Sequence, residues 1–175
     1  YLEFIAKDKL RDKLNLEDKD IKGDLYEYLL SKLATAGTNG QFRTPRHIIK
    51  MMVEMMLSSA TITKDFKIYD PACGTAGFLI AAMHNMLQKA DNDIQKKSIR
   101  QNQLHGIELR PNMFTIATTN MILRGDGKSN LINDDFLKQE PNKLQLKQAT
   151  VGMMNPPYSQ GSKQNPDLYE IAFTE

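Results

Sequence analysis

The stretch Asp70-Pro71-Ala72-Cys73-Gly74-Thr75-Ala76-Gly77-Phe78-Leu79 constrains this chain more than any other part of it. It follows the short apolar run Phe66 to Tyr69 and opens into Leu79-Ile80-Ala81-Ala82-Met83. An apolar run, a turn of small residues and then a helical pattern read as strand, tight loop and helix. That is the first unit of a doubly wound α/β sheet, and the loop lies at the edge where such sheets bind ligands. Gly74 and Gly77 allow backbone conformations and close approach that a Cβ forbids, and Asp70 at the strand end can accept hydrogen bonds from loop amides or from an ammonium group.

The other elements follow in chain order. Residues 1–38 are dense in charge, with Leu2, Ile5, Leu10, Leu14, Ile21, Leu25, Tyr28, Leu29 and Leu33 at roughly helical intervals, and are expected to form a helical arm. Residues 39–175 are expected to form a single α/β domain. Thr44 and Pro45 predict the capped start of a helix carrying Ile48, Ile49, Met52, Val53, Met56 and Leu57, and the cluster Met51, Met52, Met55 and Met56 reads as core packing. After the loop a helix is expected to run to about Ala90, followed by a solvated polar insertion through Gln103 that is partly helical from Ile94. Further strands are expected at Leu104 to Leu109, Asn130 to Asn133 and Thr150 to Met154, with a helix from Pro111 closed by Gly125 and Gly127. The pattern is βαβαββ.

Composition excludes several classes. Cys73 is the only cysteine, the three histidines are scattered, and no apolar run reaches the ~18 residues of a membrane span. No disulfide framework, metal site or membrane anchor is expected, and the reading is a soluble, cytoplasmic protein. A net charge of +2 with scattered basic residues is neutral on nucleic-acid binding. No methionine precedes Tyr1 and no signal peptide is visible, so the chain is expected to begin inside a longer protein.

The loop lacks the Gly-x-Gly-x-x-Gly spacing that seats a pyrophosphate, which disfavours a dinucleotide. S-adenosylmethionine fits better: its amino-acid end needs such a loop, and its ribose hydroxyls need a carboxylate at the end of the next strand, where Glu108 stands. Asp135-Phe136, after the third strand, reads equally as a solvated turn or as a contact to the cofactor's adenine.

Asn155-Pro156-Pro157-Tyr158 is the second centre. An Asn or Asp, two prolines and an aromatic occur together by chance in only ~0.5% or less of chains of this length. An exocyclic amine on a heteroaromatic base is a poor nucleophile because its lone pair is delocalised. Two acceptors on its N–H bonds, the Asn155 side-chain oxygen and the Pro156 carbonyl, favour a more nucleophilic nitrogen, and the prolines restrict the backbone that holds them. Tyr158 offers a face on which an extruded base can stack.

These motifs together resemble the N6-adenine DNA methyltransferases, specifically the modification subunits of type I restriction–modification systems, from about Gly23 to Glu175. The resemblance implies a Rossmann-like, doubly wound S-adenosylmethionine-dependent methyltransferase fold, incomplete at the C-terminus because the family fold continues with further strands after Tyr158. It implies double-stranded DNA as substrate, with a separate DNA-specificity subunit and a restriction subunit as partners. By that similarity Phe42 and Thr44 belong to the upstream cofactor motif, with Thr44 near the methionine carboxylate. Asp70, Ala72, Gly74, Thr75, Gly77 and Phe78 fall in the main cofactor motif, Glu108 is the ribose ligand, Asp135 and Phe136 contact the adenine, and Asn155, Pro156, Pro157 and Tyr158 form the catalytic motif. Arg43 stands where an aromatic residue is frequent. Ala76 stands where the family often has a third glycine, which costs of order 1 kcal/mol if its φ is positive. The residues also leave open an N-methyltransferase acting on RNA or on a protein glutamine, and a non-catalytic cofactor-binding module that holds a DNA-recognition partner.

Overall fold

The computed structural model describes residues 44–125, 130–139 and 149–156, together with Leu25, which is helical. The remainder of the 1–38 arm, Phe42, Pro157 and Tyr158 lie outside the described residues. Four strands, β1 (Ile68–Asp70), β2 (Leu104–Glu108), β3 (Asn130–Asn133) and β4 (Val151–Gly152), pair in parallel in the order β3-β2-β1-β4. The helices are α1 (Arg46–Leu57), α2 (Gly77–Gln88), α3 (Asp93–Asn102) and α4 (Pro111–Leu123), and a 3-10 turn spans Phe136–Lys138. This strand order reverses between β1 and β4, the switch point at which open parallel sheets form a ligand crevice.

Both faces of the central strands are covered, so β1 and β2 are buried at every position rather than at alternate ones, the polar Asp70, His105 and Glu108 included. Ile68, Leu104 and Leu131 meet Leu79, Met83 and Met86 of α2 in the main core, while Tyr69 and Ile107 point to the opposite face and pack with Phe136 and Ala149. α2 is buried on most of its circumference because α1 covers it from outside with Ile49, Val53 and Leu57, spaced four apart. Lys89, just past α2, donates from Nζ to the carbonyls of Leu57 and Ser58 and so closes the C-terminal end of α1.

Three expectations need correction. The polar stretch after α2, helical as expected but from Asp93 through Asn102 as α3, is anchored rather than wholly solvated: Asn92 Oδ1 accepts from the Gln95 amide at 2.9 Å as its N-cap, and Ile99 is completely buried. Its attachment is largely polar, because Gln95 and the fully buried Gln103 donate from Nε2 to the carbonyls of Ile62 and Thr63. A search for apolar periodicity does not register burial achieved by side-chain amides. The methionine cluster is mostly outside: Met51, Met55 and Met56 are 50%, 70% and 52% exposed, and only Met52 packs on the core. Three apolar positions at a four-residue spacing already fill the α1 seam. Finally, α1 begins at Arg46 with Pro45 as its N-cap residue, so Thr44 lies outside the helix and its side chain does not cap it.

Gly106, in the middle of β2, lets the loop close onto the sheet. A Cβ there would lie 2.8 Å from Leu131 Cδ2, 2.9 Å from Leu79 Cδ1 and 3.1 Å from Cys73 Cβ. Gly106→Ala is therefore expected to cost about 1–3 kcal/mol in urea-induced unfolding, through overpacking at the point where loop, α2 and β3 converge.

Candidate active site

The site is assembled along the carboxyl ends of the strands. β1 delivers Asp70, which is 1% exposed, and β2 delivers Glu108, which is 9% exposed. The loop between them is fixed by the chain itself. The Ala72 amide donates to Asp70 Oδ1 at 3.1 Å, the Cys73 amide to the Ile107 carbonyl at 2.9 Å, and the Gly74 amide to Glu108 Oε2 at 2.9 Å. Gly74 adopts φ +55°, and a Cβ built on it meets nothing within 4 Å, so the backbone faces open space at that position. Ala76 adopts φ +66°, the left-handed conformation that favours glycine, and it is fully buried.

Glu108 does more than the sequence indicates. Oε2 takes the Gly74 amide and Oε1 takes the Arg110 amide at 2.9 Å, so both oxygens are oriented by main-chain donors. Each oxygen keeps a second lone pair, so the carboxylate can still accept from a pair of hydroxyls.

Burial pushes the Asp70 carboxyl up to about 7, the Ala72 amide opposes the rise, and the Glu108 charge adds to it. Burial also pushes the Cys73 thiol up, and the carboxylates of Asp70 and Glu108 push it further, which removes thiolate character. Cys73 is thus a packing residue, as its place among small loop residues suggests.

The remaining predicted residues that the structure describes lie on the loop itself and on neighbouring turns and strand ends. Thr75 offers its carbonyl to Asn120 Nδ2 at 3.0 Å, and Gly77 opens α2 with the position of its missing Cβ 3.0 Å from Ile49 Cδ1. Phe78, in the first turn of α2, is 5% exposed and packed in the main core, so its side chain serves packing rather than the site. Asp135 Oδ1 accepts from the Leu137 amide at 3.1 Å and Oδ2 lies 3.4 Å from Lys138 Nζ, so it caps the 3-10 turn, while Phe136 packs beside Tyr69 and Ile107. Across the switch point, the Met153 amide donates to the Tyr69 carbonyl at 2.9 Å and brings the exposed Asn155 and Pro156 beside the end of β1. Asn155 Nδ2 donates to Thr44 Oγ1 at 2.9 Å, which joins two motifs that the sequence treats separately.

Two supporting residues were not read from the sequence. Asn120, fully buried on α4, holds the Thr75 carbonyl and accepts from Arg124 Nε at 3.5 Å. Asn133 at the end of β3 donates to the carbonyls of Glu108 and Leu109, at 2.7 and 3.2 Å. Asn120 had a visible signal, a lone amide inside the apolar stripe of Met113, Ala117 and Met121. Asn133 had none, because its partners are main-chain atoms of a different strand.

This parallel α/β sheet, with its glycine loop and two buried carboxylates at the carboxyl edge, has the fold of S-adenosylmethionine-dependent methyltransferases. The chain belongs to the N-6 DNA Methylase family, whose profile matches residues 17–172. It is 43% identical over 99% of its length to the type II restriction enzyme and methyltransferase RM.BcgI of Heyndrickxia coagulans, covering 26% of that protein. It is 31% identical over 81% of its length to the type I restriction enzyme EcoEI methylase subunit of Escherichia coli, covering 28% of it. Among solved structures, the type I restriction-modification system methyltransferase subunit from Streptococcus thermophilus aligns with a TM-score of 0.63 and 28% identity, over 82% of this chain and 29% of that one. The chain thus spans between a quarter and a third of the length of each of these three relatives.

The raised Asp70 carboxyl sets a pH dependence. A proton held more tightly in the folded state stabilises it fully below the unfolded pKa near 3.8, and that stability is lost as pH rises through about 7. Asp70→Asn keeps an acceptor for the Ala72 amide without the charge. Ligand-free Asp70→Asn is therefore expected to be more stable than the parent at pH 8, by about 1–4 kcal/mol, with the gap closing toward pH 4. Thermal unfolding followed by circular dichroism across that range checks it, and a gap independent of pH contradicts it.

Proposed function

We propose that the protein containing this chain transfers a methyl group from S-adenosylmethionine to N6 of adenine in DNA, as the modification component of a restriction–modification system. The observation that supports this most is the placement of Asn155 and Pro156 at the switch point, beside the loop that Asp70 and Glu108 frame. A methyl donor held at the loop and an amine held at Asn155 and Pro156 account for their lying on neighbouring strand ends.

The residues present fit the cofactor. The open space in front of Gly74 admits a ligand against the backbone, and the charge felt by Asp70 from neighbouring side chains is that of another carboxylate, Glu108, rather than a cation. A ligand bearing ammonium and sulfonium charges relieves that repulsion, which suits this pair better than a phosphate would. Asp70 and the loop amides would hold the amino-acid end, Glu108 the ribose hydroxyls, and Asp135 and Phe136 the adenine. When bound, the cofactor supplies an electrophilic methyl group.

The chain's own groups do the rest. Asn155 Oδ1 and the Pro156 carbonyl accept the N–H bonds of the target amine and so hold its nitrogen lone pair toward the methyl donor. As the C–N bond forms, the methyl–sulfur bond would break and leave a neutral thioether; the alkylated nitrogen would then lose its extra proton to solvent. Pro157 restricts the same backbone, and Tyr158 would stack on the base, which must leave the duplex for its amine to reach the end of β4. Neither feature requires sequence readout by this chain, in keeping with a separate specificity subunit and a restriction subunit as partners. That division follows the type I relatives, named methylase subunits, whereas the name of RM.BcgI joins restriction and methylation.

In the full-length protein, Asn155→Ala is expected to leave cofactor binding within about twofold while lowering methyl transfer by about a hundredfold or more. Transfer of labelled methyl groups to unmethylated duplex DNA, with RNA and protein as comparison substrates, tests both the residue and the substrate class. Retained methylation in Asn155→Ala would sink the mechanism, and preferred labelling of RNA or protein would replace the substrate.

A further inference from the structure

Pro156 restrains the main chain of Asn155 but leaves its side-chain torsions free. The amide has a donor end and an acceptor end of nearly equal shape, so its use as an acceptor depends on something that holds it one way round. Thr44 is the side chain placed to hold it: a hydroxyl can pair with either end of an amide, and here it accepts from the nitrogen and stops the side chain from swinging away. Asn155 Nδ2 donates to Thr44 Oγ1 at 2.9 Å, between residues 111 apart in the chain. Thr44 is held in turn. The Pro45 carbonyl accepts from the Ile48 and Ile49 amides at 3.0 and 3.1 Å, and Ile49 Cδ1 rests against the missing Cβ of Gly77. These contacts place the main chain at the start of α1, next to Thr44, relative to the glycine loop, and β-branching limits the rotamers of the Thr44 side chain.

The geometry points to Thr44 as a positioning residue for Asn155: its hydroxyl engages the amide nitrogen and leaves Asn155 Oδ1 as the acceptor for the target amine. This rests on Asn155 being the residue that meets that amine. With the amide reversed, Asn155 would turn a donor toward a group that brings donors of its own, and the contact would be lost. The role is distinct from the one the resemblance implies for Thr44, a contact to the methionine carboxylate of the cofactor. A contact of that kind acts on cofactor affinity, whereas a hold on Asn155 acts on the rate of transfer once the cofactor is bound.

Thr44→Val removes the hydroxyl at nearly constant volume, and Thr44→Ser keeps it. In the full-length protein, the single-turnover rate of methyl transfer at saturating cofactor is expected to fall about ten- to hundredfold in Thr44→Val. Its calorimetric Kd for S-adenosylmethionine should stay within about twofold of the parent, and Thr44→Ser should recover the rate to within about threefold. Retained affinity also shows that the variant is folded. A weakened Kd in Thr44→Val, with or without a slower rate, overturns the assignment and returns the hydroxyl to the cofactor. An unchanged rate overturns it as well. Asn155→Ala in the same assay separates the two levels of the argument: if it methylates at the parental rate, the reading of Asn155 itself fails. If it is inactive while Thr44→Val is fully active, only the assignment of Thr44 fails.

Discussion

The Glu108 carboxylate is the interaction on which the geometry of the site depends. By accepting from Gly74 on one side and Arg110 on the other, it ties the glycine loop after β1 to the turn after β2. Two charge-assisted bonds from main-chain donors are strong in a site this shielded from water, and they use atoms that no side-chain substitution elsewhere can replace. The same carboxylate is the ribose ligand in the proposed function. Structure and binding therefore share one group, so the loop and the ligand-facing oxygens cannot drift apart independently.

A second layer of amides supports that tie from outside. Asn120 holds the Thr75 carbonyl from α4, and Asn133 holds the Glu108 and Leu109 carbonyls from β3. On the other side of the switch point Thr44 holds Asn155. Each of these bonds links segments distant in sequence, and the one from Asn120 also gives a partner to a fully buried amide. The site is thus a set of turns cross-braced by side-chain amides, standing on a sheet whose own packing is almost entirely apolar. Asp70 is the costly member. It is buried beside Glu108 with its charge opposed by its surroundings, the kind of local destabilisation that binding sites carry until a complementary charge arrives.

The fold was largely legible because its signals are local. A strand followed by a glycine loop and a helix, with Pro111 opening α4 and Glu108 closing β2, needs only turn chemistry and periodicity to be read. The segments misread are those where burial does not follow hydrophobicity. Residues 93–103 attach through Gln95, Gln103 and Ile99 rather than an apolar stripe, and most of the methionines of α1 stay outside because the seam is already full. The candidate site was legible as a list of residues, since loop and motif types carry their chemistry in their composition. Thr44 shows the limit: its place in the upstream motif was visible, but its bond to Asn155 was not.

The sequence by itself determined the strand-loop-helix unit at Asp70 to Leu79, the acidic strand end at Glu108, the paired prolines after Asn155 and the membership in a family of DNA methylases. These are properties of short stretches, fixed by backbone freedom, capping and side-chain type. Only the tertiary structure decided that β4 lies beside β1, that Glu108 serves the loop as well as a ligand, that Ala76 takes a left-handed conformation, and that Thr44 and Asn155 meet. The physical reason is the same in each case. Parallel strands are joined by long crossovers, so neighbours in the sheet are remote in the chain, and hydrogen bonds between their ends leave no trace in the composition of either segment.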